Sequence, residues 1–158
     1  MSTDIKISAI DNNGASIFNY SVPFTFGISV KRVMETAFVL NQQPQPNADP
    51  FLYTIEYYGY SEDAQFPGYL GYEIEGIGNK TIGILPSNSQ FYWELEINGQ
   101  PSQVGADTAR PTPGAAVVWR YLAIPPNANS LTPRMQVIHS RRRARSSRAG
   151  AAAPARRL

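Results

Sequence analysis

A chain of 158 residues without a single cysteine cannot use disulfides, thiolate chemistry or a zinc finger, so its fold must be held by packing alone. Its formal charge of +2 averages two unlike parts: all 12 acids lie at or before Asp107, while half of the 14 Lys and Arg fall between Ser140 and Leu158. Seven basic residues against 12 acids leave residues 1–139 at −5, which excludes a uniformly basic nucleic-acid-binding domain.

Nine Tyr, seven Phe and two Trp favour strands over helices, and 13 Pro with 12 Gly imply many turns. Ile5, Ile7 and Ala9 alternate with Lys6 and Ser8, Asp11-Asn12-Asn13-Gly14 supplies turn residues, and Ile17, Phe18 and Tyr20 to Val22 resume an extended pattern. This predicts an opening hairpin. Ser29 is a suitable N-cap for a helix whose apolar residues Val30, Val33, Met34, Ala37 and Phe38 recur at spacings of three and four. That helix should stop near Asn41, since Pro44 and Pro46 cannot continue its hydrogen-bond ladder.

Phe51, Tyr53, Ile55 and Tyr57 alternate with Leu52, Thr54, Glu56 and Tyr58, which predicts a half-buried strand with the odd positions inward. Tyr69 to Ile77 reads as one further strand, with Leu70, Tyr72 and Ile74 on one side and Glu73 and Glu75 on the other. Ile82 to Leu85 reads as a short strand ended by Pro86. The clearest strand is Phe91 to Ile97, where Phe91, Trp93, Leu95 and Ile97 share the inner face and Asn98-Gly99 turns the chain. Ala116 to Leu122 is apolar on both faces, as suits a central strand, and Val137 with Ile138 could pair beyond it. A single amphipathic helix laid on one face of a mixed sheet, burying Val30, Val33, Met34 and Ala37 with Ile55, Trp93 and Trp119, is an α+β fold of β-grasp-like order. The expected division is a β-grasp-like binding domain over 1–139 and a disordered Arg/Ala-rich tail over 140–158, which lacks the apolar area to order itself.

Three stretches carry a family resemblance: Gly71 to Gly78, Gln90 to Gly99, and Gly105-Ala106-Asp107 followed by Pro113 to Tyr121. Together they make a Gly-aromatic strand, a Trp-bearing strand closing on Asn98-Gly99, a small Gly-containing turn and a final strand with an aromatic end. Between about Ser29 and Leu122 the chain resembles the transcobalamin-like C-terminal domain family, departing from it at Gly114-Ala115, where bacterial members usually have Gly-Asp. The resemblance implies a β-grasp domain. In the vertebrate cobalamin carriers such a domain forms one wall of a corrinoid site and an α/α-barrel the other, so a corrinoid enters as a ligand only through this resemblance. Bacterial relatives are mostly modules of surface or secreted proteins.

Catalysis is not expected. His139 is the only histidine and adjoins the tail, which rules out a Ser/His/Asp relay, a His-based metal site or a buried imidazole base in the body. Glu73, Glu75, Glu94 and Glu96 alternate away from apolar positions and read as solvated sheet surface rather than an acid/base pair. No metal site and no cofactor is expected.

The tyrosine surplus points to binding, because an exposed tyrosine offers rigid apolar area with a polar tip at low entropic cost. The expected ligand-binding residues are Tyr58, Tyr60, Tyr69, Tyr72 and Tyr92. Their partner would be a small molecule, a glycan or another protein, while Trp93 and Trp119 belong to the core. Nucleic acid would be met weakly and only by the tail, which has no interleaved aromatic for stacking. The chain begins without a basic region followed by an apolar run, and no segment has the roughly 18 consecutive apolar residues of a membrane helix. As written it reads as cytoplasmic and without membrane contact, or as exported if a leader has been removed. Deleting Ser140 to Leu158 is expected to abolish any retention on a phosphate-bearing resin at low salt, measured by elution against a salt gradient.

Overall fold

The computed structural model describes residues 3–41, 51–62, 64, 68–81 and 91–124. The predicted strand at Ile82–Leu85, the pair Val137 and Ile138, and the Arg-rich tail lie outside those residues.

The chain opens as a hairpin, β1 (Ile5–Ile10) against β2 (Ser16–Val22), antiparallel with a register shift at Ala9/Ile10. Its turn is closed by the Asp11 carboxylate, which accepts the Asn13 and Ala15 amides at 2.8 and 2.9 Å. Those backbone donors hold its pKa below the ordinary carboxylate value. The helix α1 (Val30–Asn41) follows, capped as predicted by Ser29, whose hydroxyl accepts the Arg32 amide at 3.2 Å. Val30, Val33, Met34 and Ala37 are buried along one face, which is the face the three-and-four spacing selected.

Eight strands follow among the described residues: β3 (Tyr53–Tyr57), β4 (Tyr60–Ser61), β5 (Gly68–Tyr69), β6 (Tyr72–Ile77), β7 (Lys80–Thr81), β8 (Phe91–Ile97), β9 (Gln100–Pro101) and β10 (Ala116–Ala123). They form a five-stranded sheet in the order β2-β1-β10-β8-β9, a three-stranded sheet β3-β6-β7 and the two-stranded pair β4-β5. Among the described strands only β1 and β10 run parallel, Ile7 facing Val117 and Ala9 facing Trp119. A parallel pair needs a crossover connection, and the crossover here contains the helix, which gives the α+β, β-grasp-like architecture. β10 is central, antiparallel to β8 on its other side, as its apolar faces implied.

The helix packs on β1 and β2, and β6 approaches β8, so helix and second sheet cover the same face of the first. The core between them contains Ile5, Ile7, Ala9, Val22, Ile74, Ile77, Leu95 and Val117 with the indoles of Trp93 and Trp119. The small sheet is tied down by two side chains: Trp93 Nε1 donates to the Lys80 carbonyl at 3.3 Å and the Tyr121 hydroxyl to the Thr81 carbonyl at 2.7 Å. Burial raises the Tyr121 pKa, as its position on the inner face requires. At the far end, Asn98 and Gly99 have φ of 53° and 74°, the two positive values that a tight hairpin turn of the primed type demands. Asn98 Oδ1 also accepts the Ala116 amide at 2.9 Å, linking the start of the central strand to that turn.

Two expectations are corrected. The stretch from Tyr69 to Ile77 is broken at Leu70 and Gly71 rather than running as one strand. Glu73 is not a solvated surface group but only 8% exposed, and Glu94 is partly covered, its pKa raised by burial and by the neighbouring Glu96 charge. Strict alternation failed because a register shift at Thr54/Ile55 places an extra residue in β6, and because the outer face is less wet than its charges suggest. Replacing Ile7, fully buried on β1, by alanine should cost about 2–5 kcal/mol, whereas Lys6→Ala on its exposed neighbour should change stability by under about 0.5 kcal/mol, both measured by urea unfolding.

Candidate functional site

Strands β3 and β4 are separated only by Tyr58 and Gly59, and β5 and β6 only by Leu70 and Gly71, so the four strands are one long hairpin with a bend. Hydrogen bonds continue through the bend: Tyr58 N donates to Gly71 O at 2.8 Å and Leu70 N to Gly59 O at 2.7 Å. Gly59 and Gly71 both have positive φ, 63° and 67°. In a regular strand residues three apart point to opposite faces. Here the bend, with its two left-handed residues, brings Tyr57 and Tyr60 to one side together with Tyr69 and Tyr72.

Register then sets the pairs. Tyr57 faces Tyr72 across β3-β6, and Tyr60 faces Tyr69 across β4-β5. Ring centroids lie 4.9 Å apart in the first pair and 5.1 Å in the second, and Tyr57 joins them by approaching Tyr69 at 6.3 Å. The four rings form a continuous series, Tyr72-Tyr57-Tyr69-Tyr60. Three of them are open to water, at 51%, 42% and 68% exposure for Tyr57, Tyr69 and Tyr60, and Tyr72 is partly covered.

The series is anchored by Asp107. Its Oδ2 accepts the Tyr69 hydroxyl at 2.6 Å and its Oδ1 the Tyr72 amide at 3.2 Å. That bond to the carboxylate, foremost, raises the Tyr69 pKa and keeps the phenol protonated. The carboxylate comes so close that a Cβ on Gly71 would stand 2.5 Å from Oδ1, which explains glycine there on steric grounds as well as by its φ. Asp107 itself sits in a turn whose carbonyls receive the first helical amides, Lys31 N to Ala106 O at 2.7 Å and Val30 N to Ala109 O at 3.1 Å. From the helix, Lys31 pairs with Glu35 and places its ammonium 5.1 Å from the Tyr72 ring centroid, within cation–π range. The Glu35 hydrogen bond raises the Lys31 pKa, and the Lys31 hydrogen bond lowers that of Glu35.

Of the five residues expected at the site, Tyr60, Tyr69 and Tyr72 come together on this surface. Tyr58 and Tyr92 do not: they are buried, at 4% and 7% exposure. Tyr58 turns to the opposite side of the hairpin, its hydroxyl 2.9 Å from Glu75 Oε1 and 3.2 Å from Glu56 Oε2, so it can donate to one carboxylate at a time. Tyr92 lies on the face of the main sheet away from the helix, where burial and Glu94 push its pKa up to about 12. Tyr57, which alternation had assigned to the interior, takes their place. Asp107 was visible only as part of a turn motif, and the signal that could have found the bend is the pair of glycines two residues beyond Tyr57 and Tyr69. Trp93 and Trp119 are core residues, with Trp119 Nε1 buried and without a partner among the described residues.

Residues 27–123 match the family described as a domain of unknown function, DUF4430, and the chain belongs to that family. Two solved structures share the fold. One is a candidate metal-binding protein from Ruminococcus gnavus ATCC 29149, 15% identical with a TM-score of 0.50, the match covering 77% of this chain and 98% of that one. The other is haptocorrin in complex with Cbi, 21% identical with a TM-score of 0.50, the match covering 76% of this chain but 25% of haptocorrin. A search of curated proteins found no match. Among the described residues no group of three or more His, Asp or Glu side chains could hold a metal ion, and no helix is long and apolar enough to cross a membrane.

Gly71→Ala is expected to destabilise by at least about 1–2 kcal/mol from its left-handed backbone alone. In an Asp107→Ala background the collision with Oδ1 is gone, so the same substitution should cost less, a coupling that a double-mutant cycle of urea midpoints will read.

Proposed function

We propose that this protein is a noncatalytic binding module whose recognition surface is the tyrosine series Tyr57, Tyr60, Tyr69 and Tyr72, taking a small molecule or a glycan. The observation that carries the reading is that three half-exposed rings are held in mutual contact rather than left as separate surface side chains. Asp107 fixes one hydroxyl and Lys31 sits over one ring, so less side-chain freedom is lost when a ligand arrives. The bound Cbi of the haptocorrin structure and the metal-binding description of the bacterial neighbour support a ligand-holding role for the fold. The membership implied by the transcobalamin-like resemblance belongs to this reading too.

A ligand present at about 100 times its dissociation constant should stabilise the protein by about 2.7 kcal/mol, which a thermal-shift panel of corrinoids and oligosaccharides will detect. Tyr60→Ala should weaken that ligand while changing stability by under about 0.5 kcal/mol, since the ring is 68% exposed. Tyr58→Ala, by contrast, should unfold the protein more easily by about 3–5 kcal/mol, as for other buried aromatics. A ligand whose shift survives Tyr57→Ala, Tyr60→Ala and Tyr69→Ala alike would place recognition elsewhere.

A further inference from the structure

The shape of the tyrosine surface narrows the ligand class. Consecutive rings are inclined to one another by 44°, 52° and 57° along Tyr72-Tyr57-Tyr69-Tyr60. A rigid planar ligand can lie against only one of the rings so inclined. The facets also leave much of each ring in water, whereas a compact ligand gains affinity from a concave site that takes most of its surface out of solvent. One-sided contact suits instead a ligand made of repeated units, each adding a modest contact of its own.

Resting on the reading of this surface as a binding face, we infer that its ligand is an extended oligosaccharide, with successive hexose rings set on Tyr57, Tyr69 and Tyr60. Spacing supports this: the centroids step by 6.3 Å from Tyr57 to Tyr69 and by 5.1 Å from Tyr69 to Tyr60, close to the advance of one hexose along an extended chain. Rotation about each glycosidic bond allows neighbouring sugars to turn by the angle the rings require. The axial C–H face of a hexose packs on a phenol ring, and its hydroxyls remain hydrated or reach the polar groups that border the series. One of those is already in place, the Asp107 carboxylate bonded to Tyr69, which has lone pairs beyond the two donors it accepts. A peptide side chain would need an enclosing pocket for its anchor, and half-exposed rings do not enclose one.

The test is a titration of the full chain, by calorimetry and by affinity electrophoresis, with gluco-, manno-, galacto-, xylo- and N-acetylgluco-configured di-, tri-, tetra- and hexasaccharides. Affinity for at least one series should rise from the disaccharide and level off near the trisaccharide. Tyr60→Ala should lower the hexasaccharide affinity by about tenfold and move the plateau to a shorter chain. Tyr69→Phe keeps the ring and should retain most of the binding, whereas Tyr69→Ala should not. Affinity independent of chain length, or no binding of any hexasaccharide at millimolar concentration, overturns the inference. If a corrinoid or a protein binds instead and is lost in Tyr60→Ala, the oligosaccharide is refuted while the binding face stands. Oligosaccharide binding that all three alanine variants preserve refutes both.

Discussion

A single carboxylate joins the parts of this protein that matter for its surface. Asp107 holds the amide that starts β6 and the hydroxyl of Tyr69, while the carbonyls flanking it receive the first two amides of the helix. Helix N-termini leave amides without intrahelical partners, and an acceptor held rigidly beside them stabilises the helix and fixes its position at once. Here the acceptors belong to a turn between β9 and β10, so the helix start, the long hairpin and the approach to the central strand are referenced to one short segment. Gly71 is the counterpart of this arrangement, since only a residue without a side chain lets the carboxylate approach the backbone so closely.

The second constraint is the bend itself. A hairpin with regular pleat would have divided its tyrosines between two faces, one pair inside and one outside. Two left-handed glycines, Gly59 opposite Leu70 and Gly71 opposite Tyr58, alter that geometry without interrupting cross-strand hydrogen bonding, since Tyr58 and Leu70 still donate across the gap. The result has two unlike sides. One carries four tyrosine rings in contact, open to solvent along most of their length. The other buries Tyr58 and Leu70, and the Tyr58 hydroxyl lies between two glutamates there. Burying a phenol with its hydroxyl near an acceptor is far less costly than burying it unpaired, which is why the chain can place Tyr58 inward beside charged residues.

The main sheet and helix are conservative by comparison. Their contribution is to hold β6 and β7 in place, through the indole of Trp93 and the hydroxyl of Tyr121 that reach backbone carbonyls of β7. The tyrosines on short strands are thereby supported by a large apolar core.

The helix, the opening hairpin and the strands at Phe91 and Ala116 were legible from residue order, because local periodicity and capping chemistry select the buried face directly: Val30, Val33, Met34 and Ala37 on one helical stripe, Trp93 and Leu95 on one side of a ribbon. Composition likewise marked tyrosine as the residue in excess and separated an acidic body from a basic end. Which tyrosines reach the surface was a different matter. Alternation counted from Phe51 put Tyr57 inward and Tyr58 outward, and the folded chain reverses both, since the register shift in β6 and the two left-handed glycines depend on strands meeting across the hairpin. Asp107 could not be assigned for the same reason, standing 38 residues from its partner Tyr69. Periodicity is a property of neighbours along the chain, whereas exposure, ring contact and hydrogen bonding over such separations exist only once distant segments have been brought together.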